Sequence, residues 1–188
     1  ETMTELIEYY KGIFTILSSC ASRQLEEVTF RRTVIPVQEL LDAAGKYFKK
    51  LMKNRPERIE LEIESMEAKV IGDVNQLRFL LENLIDEALT VREDGVIRLQ
   101  ARKDNEYIRF LFTDTRREKS VEELNQLFYP NLARMTSGEK GELRGTEYLV
   151  CKQIIRDHDE FAGRRGCRIN AEPAEGGGFT VYFTIPRR

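Results

Sequence analysis

The stretch DVNQLRFLLENLIDEA, residues 73–88, constrains the fold of this chain most. Val74, Leu77, Leu81, Leu84, Ile85 and Ala88 fall on one face of a helix, and Asp73 stands where an N-cap belongs. A helix with a single apolar face must lie on another layer, and the flanking sequence offers a sheet. Within the helix, Asn83 and Glu87 stand one turn apart on a shared face. A carboxamide and a carboxylate oxygen so placed either converge on one ligand or simply meet water.

The neighbouring runs supply the sheet. Ile59, Leu61 and Ile63 alternate with charged residues, the pattern of a half-buried strand, and AKVIG forms a second short one. Residues 96–101 and 107–113 read as a hairpin with its turn at 103–106. CRINAE and FTVYFTIP, separated by the glycines 176–178, close the chain as two more antiparallel strands. Helices are expected at 37–53, with Leu40, Leu41, Ala44, Phe48 and Leu51 as the apolar stripe, and over EYLVCKQIIRDH, with Leu149, Val150, Ile154 and Ile155 buried. VTFRRTVIPV reads as a short strand closed by Pro36. Residues 115–145 are polar and glycine-punctuated apart from the short helix VEELNQLF, and read as a mobile loop region. The class is therefore α+β: a two-layer sandwich of a mixed, mainly antiparallel sheet with helices on one face, plus an N-terminal helix. In that first helix Met3, Leu6, Tyr10, Ile13, Leu17 and Cys20 recur at spacings of three and four, a seam suited to helix–helix packing, in a dimer or within one chain.

Charge and cysteine content narrow the function classes. Thirty Lys and Arg against 32 Asp and Glu leave a net charge of -2, which gives no signal for a nucleic-acid partner. Cys20, Cys151 and Cys167 share no close spacing, so neither a disulfide framework nor a zinc site is expected, and a reducing, cytoplasmic setting fits. No apolar run approaches the roughly 20 residues of a membrane span, while a membrane anchor elsewhere in a longer parent chain is left open.

In order along the chain, GDVNQLRFLLENLIDEAL, FLFTDT, LFYP, VCKQIIRDH and GGGFTVYFTIP resemble the motifs of the catalytic, ATP-binding domain of sensor histidine kinases, in the superfamily of DNA gyrase, Hsp90 and MutL. The resemblance runs from about residue 28 to 186, giving an ATPase domain over 28–188 preceded at 1–27 by a helix similar to the second helix of a dimerisation hairpin. It implies ATP and magnesium as cofactors, a response regulator or other signalling protein as partner, and a homodimer through the N-terminal helix. It also assigns site residues. Asn83 and Glu87 lie on the metal-binding helix, Glu87 at the magnesium position; Asp114 matches the acceptor for the adenine amino group; Gly145 opens the phosphate-binding stretch; Thr180 matches a threonine near the nucleotide. The family's phosphoacceptor histidine lies on the first helix of the hairpin, which is expected to lie outside these residues; the sole histidine here, His158, lies in the closing helix.

Departures from the family pattern concentrate at the nucleotide. Glu87 replaces an asparagine; it remains a hard oxygen ligand suited to magnesium, but an anionic one. The expected D-x-G-x-G is DTRRE, so Arg116 and Glu118 replace glycines that let the backbone turn and approach the base. In LRGTEYLV only Gly145 survives, with Glu147 adding negative charge where helix amides cradle phosphates in the family. The leading expectation is a degenerate domain with no catalytic residue assigned. The alternative is a divergent, active kinase domain using Glu87 for magnesium and Asp114 for adenine, with Arg116, Arg117, Lys140 or Arg144 pairing with phosphates.

Overall fold

A computed structural model describes residues 3–7, 10–11, 30–130 and 146–188. Residues 3–7 and 10–11 are helical and present Met3, Leu6, Ile7 and Tyr10 on the surface; Ile13, Leu17 and Cys20 of the expected seam lie outside the described residues. The body is built from β1 (Thr33–Pro36), α1 (Val37–Met52), β2 (Ile59–Ile63), β3 (Lys69–Gly72), α2 (Val74–Ala88), β4 (Gly95–Asp104), β5 (Tyr107–Asp114), α3 (Val121–Asn125), α4 (Glu147–Phe161), β6 (Ile169–Pro173) and β7 (Phe179–Pro186). The main sheet has the order β2-β4-β5-β7-β6; β2 and β4 run parallel and every other pair antiparallel. β1 and β3 form a separate antiparallel ribbon.

The expected strand at VTFRRTVIPV is thus confined, among the described residues, to its last part. The hairpin turn is tighter than the composition implies: β4 and β5 pair as far as Asp104 opposite Tyr107, leaving only Asn105 and Glu106 to turn the chain. Asn105 takes a left-handed φ of 54°, which asparagine tolerates better than most residues.

Strand alternation divides the sheet. Ile97, Leu99 and Ala101 of β4, Ile108, Phe110 and Phe112 of β5, and Val181, Phe183 and Ile185 of β7 are all buried beneath the helices. Phe110 and Phe183, paired across β5 and β7, stack at 4.9 Å. The opposite face carries ion pairs such as Arg98–Glu62 at 3.0 Å and Arg102–Glu64 at 2.9 Å. Burying one face and wetting the other is what the alternation of the strands dictates.

Two buried polar anchors set the helices on this sheet. Asp73 caps α2: Oδ1 accepts from the backbone N–H groups of Asn75 at 3.0 Å and Gln76 at 3.1 Å, and Oδ2 accepts from that of Arg31 at 3.0 Å. His158 of α4 is fully buried; its Nε2 accepts from the Asp73 N–H at 3.1 Å, so Nδ1 carries the proton and donates to the Ile154 carbonyl at 2.8 Å. Gly72 makes room for this ring, since a Cβ there would lie 2.8 Å from it. The lone histidine therefore joins α4 to the start of α2, a structural task. Cys151 and Cys167 are buried free thiols, and Cys20 lies outside the described residues.

Candidate functional site

The end of β5 continues the inward row of Ile108, Phe110 and Phe112 with Asp114, so strand alternation aims a carboxylate at the helix layer. Its residue neighbours in the sheet are Ile97 of β4 and Phe179 of β7. Such a group must be satisfied, because a buried unpaired charge is costly. Arg116 satisfies it. Its Nε donates to Asp114 Oδ1 at 2.9 Å, its Nη2 to Oδ2 at 2.9 Å, and its backbone N–H to Oδ1 at 3.0 Å. The two side chains are 1% and 5% exposed, and the contact is the bidentate fork that arginine and carboxylate form best.

The remaining guanidinium donors go to the end of α2. Nη2 also donates to the Ala88 carbonyl at 2.5 Å, and Nη1 to the carbonyls of Val91 at 2.9 Å and Glu93 at 3.0 Å. All five N–H groups are thereby used, three of them on carbonyls at or just past a helix C-terminus, where a cation also complements the helix dipole. Gly95 completes the fit: its φ is +146°, and a Cβ there would stand 2.5 Å from Arg116 Cγ. Neither Arg116 nor Glu118 has a positive φ, so replacing the family's glycines here leaves the backbone without left-handed strain.

The other assigned residues are dispersed. Asn83 is buried, and its Nδ2 donates back to the Phe79 carbonyl at 2.7 Å, so this residue is not on a wet face. Glu87 is half-buried near the junction of α2 and α4, where it and Glu147 both act on the Cys151 thiol. Burial first, then these two carboxylates, push that thiol far above its ordinary range. Glu147, in the first turn of α4, has a buried Oε2 with no hydrogen-bond partner among the described residues. Thr180 sits on the sheet face opposite Asp114: it is the register partner of Thr113, and their hydroxyls meet at 2.7 Å. Gly145, Lys140 and Arg144 lie outside the described residues. Arg117 pairs with Glu93 at 2.7 Å at the surface. Among the described residues no cluster of three His, Cys, Asp or Glu side chains is placed to hold a metal ion.

The sequence reading did not foresee the Arg116–Asp114 fork. The only signal for it was the i, i+2 spacing in DTR, and that becomes meaningful once Gly95 and the end of α2 are known to lie alongside.

Comparison with known proteins agrees with this architecture. The mycobacterial sensor histidine kinase MprB superposes with a TM-score of 0.65 at 18% identity, covering 84% of this chain and 99% of that one. Full-length ShkA in complex with AMPPNP matches at TM-score 0.65 and 15% identity over 85% of this chain and 32% of its own. Histidine kinase ThkA in complex with the response regulator TrrA matches at TM-score 0.64 and 19% identity, over 100% of this chain and 52% of that chain. At these identities the likeness shows the fold. No curated protein sequence matches the chain. Residues 72–188 match the profile of the histidine kinase-, DNA gyrase B- and HSP90-like ATPases, a family that in general binds ATP with magnesium. This chain belongs to that family of ATPase domains.

Proposed function

We propose that the chain is the histidine-kinase-like ATPase domain of a bacterial two-component signalling protein in which nucleotide binding is weak or lost, the fold serving as a regulatory or interaction module. The observation that carries this reading is the Arg116 fork on Asp114. The carboxylate that would accept from an adenine amino group already accepts from a guanidinium with no donor to spare. A nucleotide would have to displace a buried ion pair before its base could bind.

The metal and phosphate end points the same way. Glu87 and Glu147 both lie near Cys151; in this reading they face the phosphates and, without a cation, repel that charge. The donor set as arranged does not fit magnesium-ATP. Residues 1–27 act in this reading as part of a dimerisation helix in the parent protein. A response regulator is the proposed signalling partner, as the complex of ThkA with TrrA shows for that kinase. The domain is proposed to work in the cytoplasm; no helix among the described residues is long and apolar enough to cross a membrane.

Titration with magnesium-ATP or a nonhydrolysable analogue, followed by thermal unfolding, tests the proposal. A ligand at about 100 times its Kd stabilises a fold by roughly 2.7 kcal/mol. The expected result is no shift at millimolar nucleotide. A magnesium-dependent shift that vanishes in Asp114→Ala and Glu87→Ala would overturn it and establish a divergent, active kinase domain instead.

A further inference from the structure

The environment of Asp114 carries one inference that deepens this reading and rests on it. The Asp114 carboxylate and the Arg116 fork of N–H donors meet beside the end of α2 and Gly95 at the start of β4, and the backbone of Asp114 lies against the turn before β7. At that turn Gly178, at φ +84°, lets the chain pass so close that a Cβ there would stand 2.1 Å from the Asp114 carbonyl oxygen. The backbone that carries the carboxylate is therefore closely held. The partner of that carboxylate is a side chain two residues away in sequence, and Arg116 has no positive φ.

We propose that Arg116 is an internal ligand of the base subsite at Asp114, competing for that carboxylate with any planar heterocycle that presents an exocyclic amino group. A guanidinium and an aminopurine edge offer the carboxylate the same chemistry: coplanar N–H donors approaching its oxygens. Arg116 adds the three carbonyls of Ala88, Val91 and Glu93, which the amino group of a base cannot reach at the same time, and it is tethered, so its effective concentration is high. The subsite opens only when the guanidinium withdraws. Gly95 leaves room for this arrangement, since the Arg116 stem lies where any side chain at residue 95 would stand.

The probe is adenosine, which carries the amino heterocycle without phosphates or a metal requirement, so the outcome does not depend on Glu87 or Glu147. Binding is measured by calorimetry on the full chain and on Arg116→Gly, Arg116→Lys and Arg116→Gly/Asp114→Ala, each checked for folding by circular dichroism. Arg116→Gly is expected to bind adenosine at least about tenfold more tightly than the parent chain, with the gain abolished in the double variant. Arg116→Lys keeps a cation beside Asp114 but loses the fork, and a smaller gain is expected.

If folded Arg116→Gly binds adenosine no better than the parent, the internal-ligand proposal is overturned while weak nucleotide binding by the parent chain stands. Should Arg116→Gly not fold, a folded Arg116→Lys without any gain overturns it equally. Tight magnesium-ATP binding by the parent chain defeats the proposed function instead. In that case the Arg116 Nε–H resonance decides the inference: movement on saturation supports competition for Asp114, and an unmoved signal overturns it.

Discussion

The Nε2 of His158 accepts a hydrogen bond from the backbone N–H of Asp73 at 3.1 Å, tying the C-terminal part of one helix to the N-cap of another 85 residues earlier in the chain. The bond requires a neutral imidazole. Burial, the largest influence, lowers the His158 pKa to about 4 from its ordinary 6.5, against weaker opposing effects from the Ile154 carbonyl and Asp73.

Stability is therefore expected to depend on pH through this residue. The unfolded chain takes up a proton near pH 6.5 and the native state only near pH 4. The contribution is complete above about 6.5, is lost as the pH falls from there, and levels off near 4. The whole loss is roughly 3 kcal/mol. Carboxylates such as Glu64 and Glu93, held low by hydrogen bonds from Arg102 and Arg117, act only at lower pH, so the slope above about pH 5 belongs to the histidine. Urea unfolding of the chain and of His158→Gln between pH 5 and 7 checks this; an undiminished slope in the variant would refute it.

Asp73→Ala removes three backbone donors' acceptor at once, two in the first turn of α2 and one from Arg31. A destabilisation of about 2 kcal/mol is expected, at the upper end for an N-cap because the group is buried. Asp73→Asn retains Oδ1 as acceptor and should cost markedly less. Chemical denaturation of both variants at pH 7 separates the two.

Arg116→Ala leaves Asp114 buried and deprives the end of α2 of its carbonyl partner, so a loss of about 3–5 kcal/mol is expected. Removing both side chains should cost less than the sum of the single changes. A double-mutant cycle in urea measures the coupling, expected at roughly 1.5 kcal/mol or more. Additive effects would show that the fork contributes nothing of its own.

Gly178→Ala meets two obstacles together, a φ of +84° and a Cβ 2.1 Å from the Asp114 carbonyl oxygen. Roughly 3 kcal/mol or more is expected to be lost. Gly176→Ala is the control: its φ of +88° imposes the same backbone strain, but nothing lies within 4 Å of the new methyl group. The difference between their thermal midpoints isolates the close approach of β7 to β5.

Most of the secondary structure was legible because period and punctuation are local. The 3.6-residue stripe of α2 with Asp73 before it, the alternation in β2 and β7, and the glycine turn before Phe179 each state their conformation within a dozen residues. The β4–β5 turn was misjudged by two residues because strand pairing extended through Lys103 and Asp104, polar residues that cross-strand hydrogen bonds held in place. The position of Thr180 was not legible either. Its face depends on whether it stands an odd or even number of residues from Asp114's register partner, Phe179, and a slip of one reverses the answer.

By itself the sequence determined the class of fold, the identity of the helix that carries Asn83 and Glu87, and the chemical types present at the site. It also showed that glycines had been replaced by Arg116 and Glu118. Only the tertiary structure decided what Arg116 does there. Whether an arginine reaches toward solvent, a phosphate or a carboxylate depends on which unpaired acceptors surround it. Here those acceptors are the side chain of Asp114 and the carbonyls of Ala88, Val91 and Glu93, brought together from the ends of β5 and α2 by the packing of helix on sheet.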